Sequence, residues 1–471
     1  MRLIELYDTQ TKTLRPLTPL VGRQVCIYSC GPTLYQAAHI GNMRAYVFAD
    51  TLHRALRHFG YSPNHVINFT DVGHLTDDAD AGEDKVEKQA AQENQAAEAI
   101  TARFGDLFLA DLKKLNIKTN RYRFPRATHY IQEQIALTQQ LEQKGYTYDI
   151  ADGIYFDTQA YKPYGALGLP NTEESDEHAR IQRVAGKKHP HDFALWKRTP
   201  DGVTRQQEWD SPWGRGFPGW HIECSAMAMK LLGTTIDIHT GGMDHIAVHH
   251  NNEIAQSEGA SDTVFANLWM HVAFLTMGSE KLSKSLGNTY TIDDLEQREY
   301  HPLALRYLFL QASYRTPLSF SFAALDSAQT ALFRLHKEYA ALPHSLLSYL
   351  NVERNAAHCA AVDAAIADDL NTAKVLATVH AILRDTSLTP ISKRNTLRYA
   401  DRVLGILCRP KQRGKQVIIP PEVQDLLVQR NTARADKDYS TADALRTRIN
   451  ELGYEVIDAN GISTVVKKRG T

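Results

Sequence analysis

Apolar side chains change period more than once along the N-terminal part of the chain. Residues 25–28 form a short apolar run that ends at Cys30, Gly31 and Pro32, which reads as a strand stopping in a turn. From about Met43 onward, Phe48, Leu52, Ala55, Leu56 and Phe59 recur at helical spacing until Gly60, and residues 65–69 read as the next strand. Two strands bridged by a helix make a βαβ unit, and a parallel sheet follows from it. Phe104, Leu107, Phe108, Leu112 and Leu115 share one face of a helix expected over 84–115. Residues 235–239 read as another strand of the same sheet, followed by glycines and by a helix from about His249.

Between those blocks, residues from about 120 to 215 are mixed in pattern, with a Gly-, Pro- and acid-rich loop over 165–177, and read as an insertion. From 326 to 408 the pattern is helical and rich in Ala and Leu, and residues 409–421 read as a linker. Residues 420–471 read as two helices and a hairpin, with Asn460-Gly461 as the turn between Val456-Ile457 and Val465-Val466. The expected class is therefore α/β: a Rossmann-like parallel-sheet catalytic domain over 1–325 with an inserted connective region, then a helical domain, then a small C-terminal domain.

Composition narrows the setting. At 471 residues, 43% hydrophobic and 23% charged, the chain has the make-up of a soluble protein of several domains. No apolar run spans a bilayer and the N-terminus lacks signal-peptide order, so a cytoplasmic monomer without membrane contact is expected. Five sparse cysteines argue for a reducing compartment. The net charge of −1 gives no long-range basic field, so RNA contact must come from local clusters such as Arg409, Lys411, Arg413 and Lys415, or Lys467, Lys468 and Arg469.

Candidate chemistry gathers at strand ends. His39-Ile40-Gly41-Asn42 opens the first helix, where unpaired N–H groups and a partial positive charge suit phosphate, and Gly41 permits close approach. Lys281-Leu282-Ser283-Lys284-Ser285 suits a loop that neutralises developing phosphate charge. Gly242 and Asp244 follow the strand at 235–239, where an acidic residue can accept from a ribose. Cys30, Cys224, and the pair His249 and Glu253, one helical turn apart, would meet at the carboxyl edge of this sheet. Two thiolates, an imidazole and a carboxylate suit zinc, while spacing alone favours a surface His–Glu pair and two cysteines that never meet.

Together the His-Ile-Gly-Asn and Lys-Leu-Ser-Lys-Ser segments resemble the two signatures of class I aminoacyl-tRNA synthetases, with Asn42 and Leu282 in place of the usual His and Met. Cys30-Gly31-Pro32-Thr33, Gly219-Trp220-His221-Ile222-Glu223-Cys224-Ser225 and the segment from His249 to Gln256 are similar to the cysteinyl-tRNA synthetases in particular. The likeness extends to Asp368-Asp369-Leu370-Asn371-Thr372 and Ala442-Asp443-Ala444-Leu445-Arg446, and so runs nearly end to end. It implies one zinc ion held by Cys30, Cys224, His249 and Glu253 that binds the thiol of the substrate L-cysteine. It further implies a pocket lined by Gly31, Thr70 and Trp220, and ATP bound with magnesium through His39, Gly41, Asn42, Gly242, Asp244 and Lys284. His39, Asn42, Lys281 and Lys284 would stabilise phosphate charge, and tRNA(Cys) would be the partner, read by the C-terminal domain. An ATP-dependent ligase joining cysteine to a small amine, as in the mycothiol pathway, is the alternative with the same core. Two stretches depart from the common pattern: Val72-Gly73-His74-Leu75 stands where a second acidic cluster is usual, and Thr240 and Met243 replace Gly and Ser. His245 and His250 read as structural neighbours of the ligands.

Overall fold

The protein, as a computed structural model, is described over residues 3–75, 82–169, 184–278, 280–281, 289–343, 353–407, 420–435, 438–459 and 462–467. Five parallel strands form the central sheet, in the order Ala266–Val272, Ile236–Gly242, Gln24–Ser29, Ser62–Ile67, Tyr122–Arg123. Ile27, Val66, Ile236, Ile238 and Met270 are all buried, as expected for a parallel sheet covered on both faces. Read by position, the chain runs outward from Gln24–Ser29 in one direction and later in the other. The order therefore reverses between Gln24–Ser29 and Ile236–Gly242, and the crevice beyond the carboxyl ends of those two strands is where such sheets bind ligands.

Several elements differ from the expected bounds. The first helix is Ile40–His58, a turn earlier than the apolar spacing suggests, because His39 and Asn42 cap it reciprocally. The helix expected over 84–115 is two, Lys85–Glu93 and Ala97–Lys114, broken at Asn94, which takes a left-handed conformation that ends the first one. The strand expected at 235–239 runs through both glycines to Gly242. Tyr122–Arg123 belongs to the central sheet, so the inserted structure starts after it. That insertion is a four-stranded antiparallel sheet, Thr147–Ile150, Gly153–Phe156, Phe193–Arg198 and Gly216–Pro218. Its apolar side chains Phe156, Phe193 and Leu195 pack with Leu137 and Leu141, and against Ile222 and Ala255 on helices Trp220–Leu232 and His249–Ser261. The insertion thus backs the two helices that carry three of the four candidate metal ligands.

Helices Phe322–Ala341, Ala356–Ala367, Thr372–Arg384 and Pro390–Leu404 follow, capped by Ser321, Asn355, Asn371 and Thr389. By contact the chain divides into two compact units, residues 1–292 with 301–407, and residues 293–300 with 408–471. Within the second, helices Pro421–Ala435 and Tyr439–Glu451 and the antiparallel strands Tyr454–Ala459 and Ile462–Lys467 enclose Val423, Ile449, Tyr454 and Val456. The Asn460-Gly461 turn and the basic cluster at 409–415 lie outside the described residues, as do Lys468 and Arg469. Among the described residues no helix is long and apolar enough to cross a membrane.

Candidate active site

Cys30 follows the strand Gln24–Ser29, and its N–H donates to the Thr240 carbonyl at 3.1 Å, which seats it on the neighbouring strand at the switch point. Cys224 projects from helix Trp220–Leu232, and His249 and Glu253 from one face of helix His249–Ser261. One ligand atom from each of these four side chains lies within 4.8 Å of the others. His249 Nε2 is 3.0 Å from Glu253 Oε1, and the Cys30 thiol is 3.8 Å from the same oxygen. In a tetrahedral zinc site donor atoms stand about 3–4 Å apart, as ligand bonds of about 2.0–2.3 Å require. The donor set and its spacing therefore fit such an ion.

Burial and charge polarise the cluster. Hydrogen bonding from the Cys30 thiol and the nearby His249 imidazole pulls the Cys224 thiol down to about 6, against the effect of burial. Burial, reinforced by Cys224 and Glu253, pushes Cys30 well up. Burial disfavours a charged His249, yet Glu253 and Cys224 outweigh it and raise the imidazole to about 10. The same pairing, with His239, holds the Glu253 carboxyl well below the usual range despite its burial.

A second layer aims these ligands. His221 Nδ1 lies 2.9 Å from His249 Nδ1, leaving His249 Nε2 toward the cluster, and Gln256 Nε2 donates to the His221 carbonyl and to Ser225 Oγ. His239 Nε2 is 2.8 Å from the other Glu253 oxygen, and His250 Nε2 is 3.3 Å from the Cys30 thiol. His250 is thus nearer the ligands than a remote structural residue: Cys30, His239, His250 and Glu253 form a second, overlapping donor set. His221 and His239 have no assigned role in the sequence, although His221 lies in the Gly219–Ser225 motif. A single imidazole in an apolar strand or helix carries no pattern until its partner is known.

The candidate pocket residues are joined by hydrogen bonds. Gly31 N–H donates to Asn68 Oδ1 at 2.8 Å, and Asn68 Nδ2 donates to Thr70 Oγ1 at 3.1 Å. A Cβ on Gly31 would sit 1.5 Å from the Asn68 carbonyl oxygen, so only glycine fits there. Trp220 stacks on His249, with ring centroids 4.3 Å apart.

Of the signature residues, His39 Nδ1 accepts from the Asn42 N–H and Asn42 Oδ1 accepts from the His39 N–H. Asn42 thereby does the work of a capping-box residue while its amide Nδ2 remains a donor at the helix start. Gly41 lies in that first turn. Gly242 leaves room for the Asp244 carboxylate, 2.3 Å from where its Cβ would be, and Gly241 leaves room for His245 and His250. The close approaches these glycines permit include the chain's own side chains. Lys281 pairs with Thr276 in a two-residue strand, and Lys284 lies outside the described residues. Ile40 N–H donates to the Tyr290 carbonyl, and the buried Arg44 donates to the carbonyls of Ala273, Phe274, Ser313 and Thr316. The helix of the first signature thus anchors the chain on both sides of the second. Arg44 escaped the sequence reading because its partners are all backbone.

A parallel sheet of this order, with the first signature opening a helix at its carboxyl edge that also holds the chain flanking the second, is the catalytic fold of class I aminoacyl-tRNA synthetases. Residues 16–330 match the family described as "tRNA synthetases class I (C) catalytic domain", and residues 418–463 match the "Cysteinyl-tRNA ligase anticodon binding domain". Cysteine–tRNA ligase 1 of Burkholderia lata is 46% identical over 456 residues, covering 97% of this chain and 95% of that protein. The cysteine–tRNA ligase of Novosphingobium aromaticivorans is 41% identical, over 97% of this chain and 95% of that one. The methionyl-tRNA synthetase of Mycobacterium tuberculosis, solved with methionyl-adenylate, shares the fold at a TM-score of 0.54 and 15% identity, over 82% of this chain and 90% of that chain. The chain belongs to the cysteine–tRNA ligase family.

Proposed function

We propose that the chain activates L-cysteine with ATP and transfers it to the 3′ end of tRNA(Cys), acting as a cytoplasmic monomer with one zinc ion held by Cys30, Cys224, His249 and Glu253. The observation that carries this reading is the convergence of two thiols, an imidazole and a carboxylate at the switch point of the sheet. A zinc ion there supplies a soft acceptor that takes a thiolate and binds a hydroxyl poorly. Pocket contacts alone separate near-isosteres by only about 10²-fold, so the metal gives cysteine its advantage over serine.

In the first step the cysteine carboxylate attacks the α-phosphate of ATP and pyrophosphate leaves. Because the His39, Ile40 and Asn42 N–H groups are taken within the cap and by Tyr290, phosphate at this helix start meets the Gly41 N–H, the Asn42 amide and the His39 ring N–H, while Lys281 and Lys284 neutralise charge as it develops. Gly31, Thr70 and Trp220 hold the amino acid. Gly242 and Asp244 border the nucleotide, which brings its own magnesium. In the second step a hydroxyl of the terminal adenosine attacks the acyl carbon and AMP leaves. No protein nucleophile is needed.

The match of residues 418–463 to an anticodon-binding domain favours tRNA over a small amine as the acceptor. ATP–pyrophosphate exchange tests the reading. Exchange should depend on cysteine, serine should support at least 10³-fold less, and Cys224→Ser should lose both zinc and exchange. Equal rates with serine and cysteine, or full zinc retention in Cys224→Ser, would overturn it.

A further inference from the structure

Nothing in the mechanism above uses His74, although it stands in one of the two stretches that depart from the family pattern. Its ring stacks on Trp220 with centroids 4.2 Å apart and planes only 8° from parallel. The indole therefore carries two stacked imidazoles, His74 and the candidate metal ligand His249.

The imidazole of His74 is itself fixed at both nitrogens. Nε2 lies 2.7 Å from Lys85 Nζ, and Nδ1 lies 2.6 Å from Thr33 Oγ1. A lysine ammonium only donates, so Nε2 accepts and the ring's proton sits on Nδ1, given to Thr33. The backbone is pinned as well. Gly73 N–H donates to Asp84 Oδ2, and Lys85 N–H donates to the His74 carbonyl. Gly73 has φ +71°, and a Cβ there would stand 2.5 Å from the Pro218 carbonyl oxygen. Glycine thus lets the chain press against the segment that leads into Trp220 and lay the next side chain on the indole.

We infer that His74 is a positioning residue for the amino acid: it fixes the ring plane of Trp220, so that cysteine meets a preformed pocket wall. This rests on the functional reading above. A ring held by stacking partners reorients only by breaking those stacks. Without His74 the indole must be ordered when substrate binds, which weakens binding and leaves the chemical step alone.

The test compares His74→Ala and His74→Phe with the wild-type chain in cysteine-dependent ATP–pyrophosphate exchange, alongside zinc content, thermal midpoint and cysteine-induced tryptophan fluorescence. Removing one ring stack should raise the KM for cysteine about fivefold to tenfold in His74→Ala. Its kcat should stay within about twofold of wild type, with zinc content and thermal midpoint unchanged and the fluorescence change shifted to higher cysteine. His74→Phe keeps a stacking ring without the hydrogen bonds and should recover most of the affinity. The inference is overturned if His74→Ala leaves the KM unchanged, if His74→Phe is as impaired as His74→Ala, or if zinc, kcat and KM fail together. The wild-type chain separates the two possible failures. Without cysteine-dependent exchange the functional reading falls and takes His74 with it, whereas exchange with an unmoved KM in His74→Ala sinks His74 alone.

Discussion

Protons and a metal ion compete for the four donor atoms around Cys30. In the metal-free cluster at pH 7, His249 (raised to about 10) and the raised Cys30 thiol keep their protons, while Cys224 (about 6) and Glu253 have lost theirs. A cation that takes all four as ligands must release the two protons held by His249 and Cys30, so raising the pH favours the metal. Zinc affinity should therefore climb by up to about 100-fold per pH unit above neutrality, and flatten once both groups titrate in the free protein. Competition with a chelator of known pH dependence measures this; an affinity independent of pH between 7 and 8.5 would exclude the assigned protonation states. How much of this was legible beforehand varies by residue. Cys30, Cys224, His249 and Glu253 stand in motifs, and the structure brings their donor atoms together. His221 stands in the Gly219–Ser225 motif and His239 ends the strand expected over 235–239, but neither is assigned a role there, because what they do depends on a partner 28 or 14 residues away. Asn42, a departure from the signature in the sequence, has a local physical account as a capping residue.

At the scale of elements, a buried ionic cluster joins helix Ile40–His58 to the segments packed on it. Asp50 pairs with Arg54 at 2.5 Å and with Arg306 of helix Pro302–Leu310 at 2.7 Å, and accepts from the Tyr122 hydroxyl at 2.9 Å. Arg306 also donates to the carbonyls of Leu404 and Leu115, and Arg54 to that of Asn116. Sheet, first helix and helical region therefore meet at one carboxylate. Burial resists its ionisation, but Arg306 and Arg54 outweigh burial and hold its pKa below the usual value. Asp50→Asn removes the carboxylate that pairs directly with both buried guanidinium groups, leaving only the buried Asp401 carboxyl to offset their charge, and should cost about 3–5 kcal/mol in urea unfolding. Because the folded pKa is depressed, this stabilisation is complete above the ordinary carboxylate pKa and is lost as pH falls through the folded value. The wild-type and Asp50→Asn stabilities should accordingly converge in acid; a constant difference down to pH 2 would contradict the role. The periodicity of apolar residues foretold the helix but not this cluster, since Asp50 and Arg54 fall on the buried side where the pattern calls for apolar residues. Asn94 was missed for the opposite reason: the apolar stripe of Phe104, Phe108 and Leu112 lies wholly in the second of the two helices, so nothing in it marks where the first one ends.

Over the whole molecule, the two family matches fall on different parts of the chain. The candidate ligands, pocket residues and signature segments all precede residue 290, and the match to a class I catalytic domain ends at residue 330. The match to an anticodon-binding domain begins at residue 418, and the described residues after 420 enclose a small apolar core of their own around Val423, Ile449, Tyr454 and Val456. RNA is read specifically through unpaired loops, by stacking and base-edge hydrogen bonds, and an anticodon lies far from the acceptor end that reacts. A distal module is the physical means of reaching it, with lysines and arginines on phosphates supplying register and affinity. Truncation after Cys408 should therefore leave cysteine-dependent pyrophosphate exchange within about threefold of the intact chain, since no ligand or signature residue is lost. Charging of tRNA(Cys), measured as kcat/KM, should fall by at least about 100-fold, the worth of a few lost base and phosphate contacts. Intact and truncated chains should be compared at two salt concentrations, because phosphate contacts weaken as salt rises: charging by the intact chain should decline more steeply. Exchange by the truncated chain also reports that its catalytic part is folded. Equal charging by both chains would remove the C-terminal residues from RNA recognition, and transfer of cysteine to a small amine without any charging of tRNA would replace the ligase reading with its alternative.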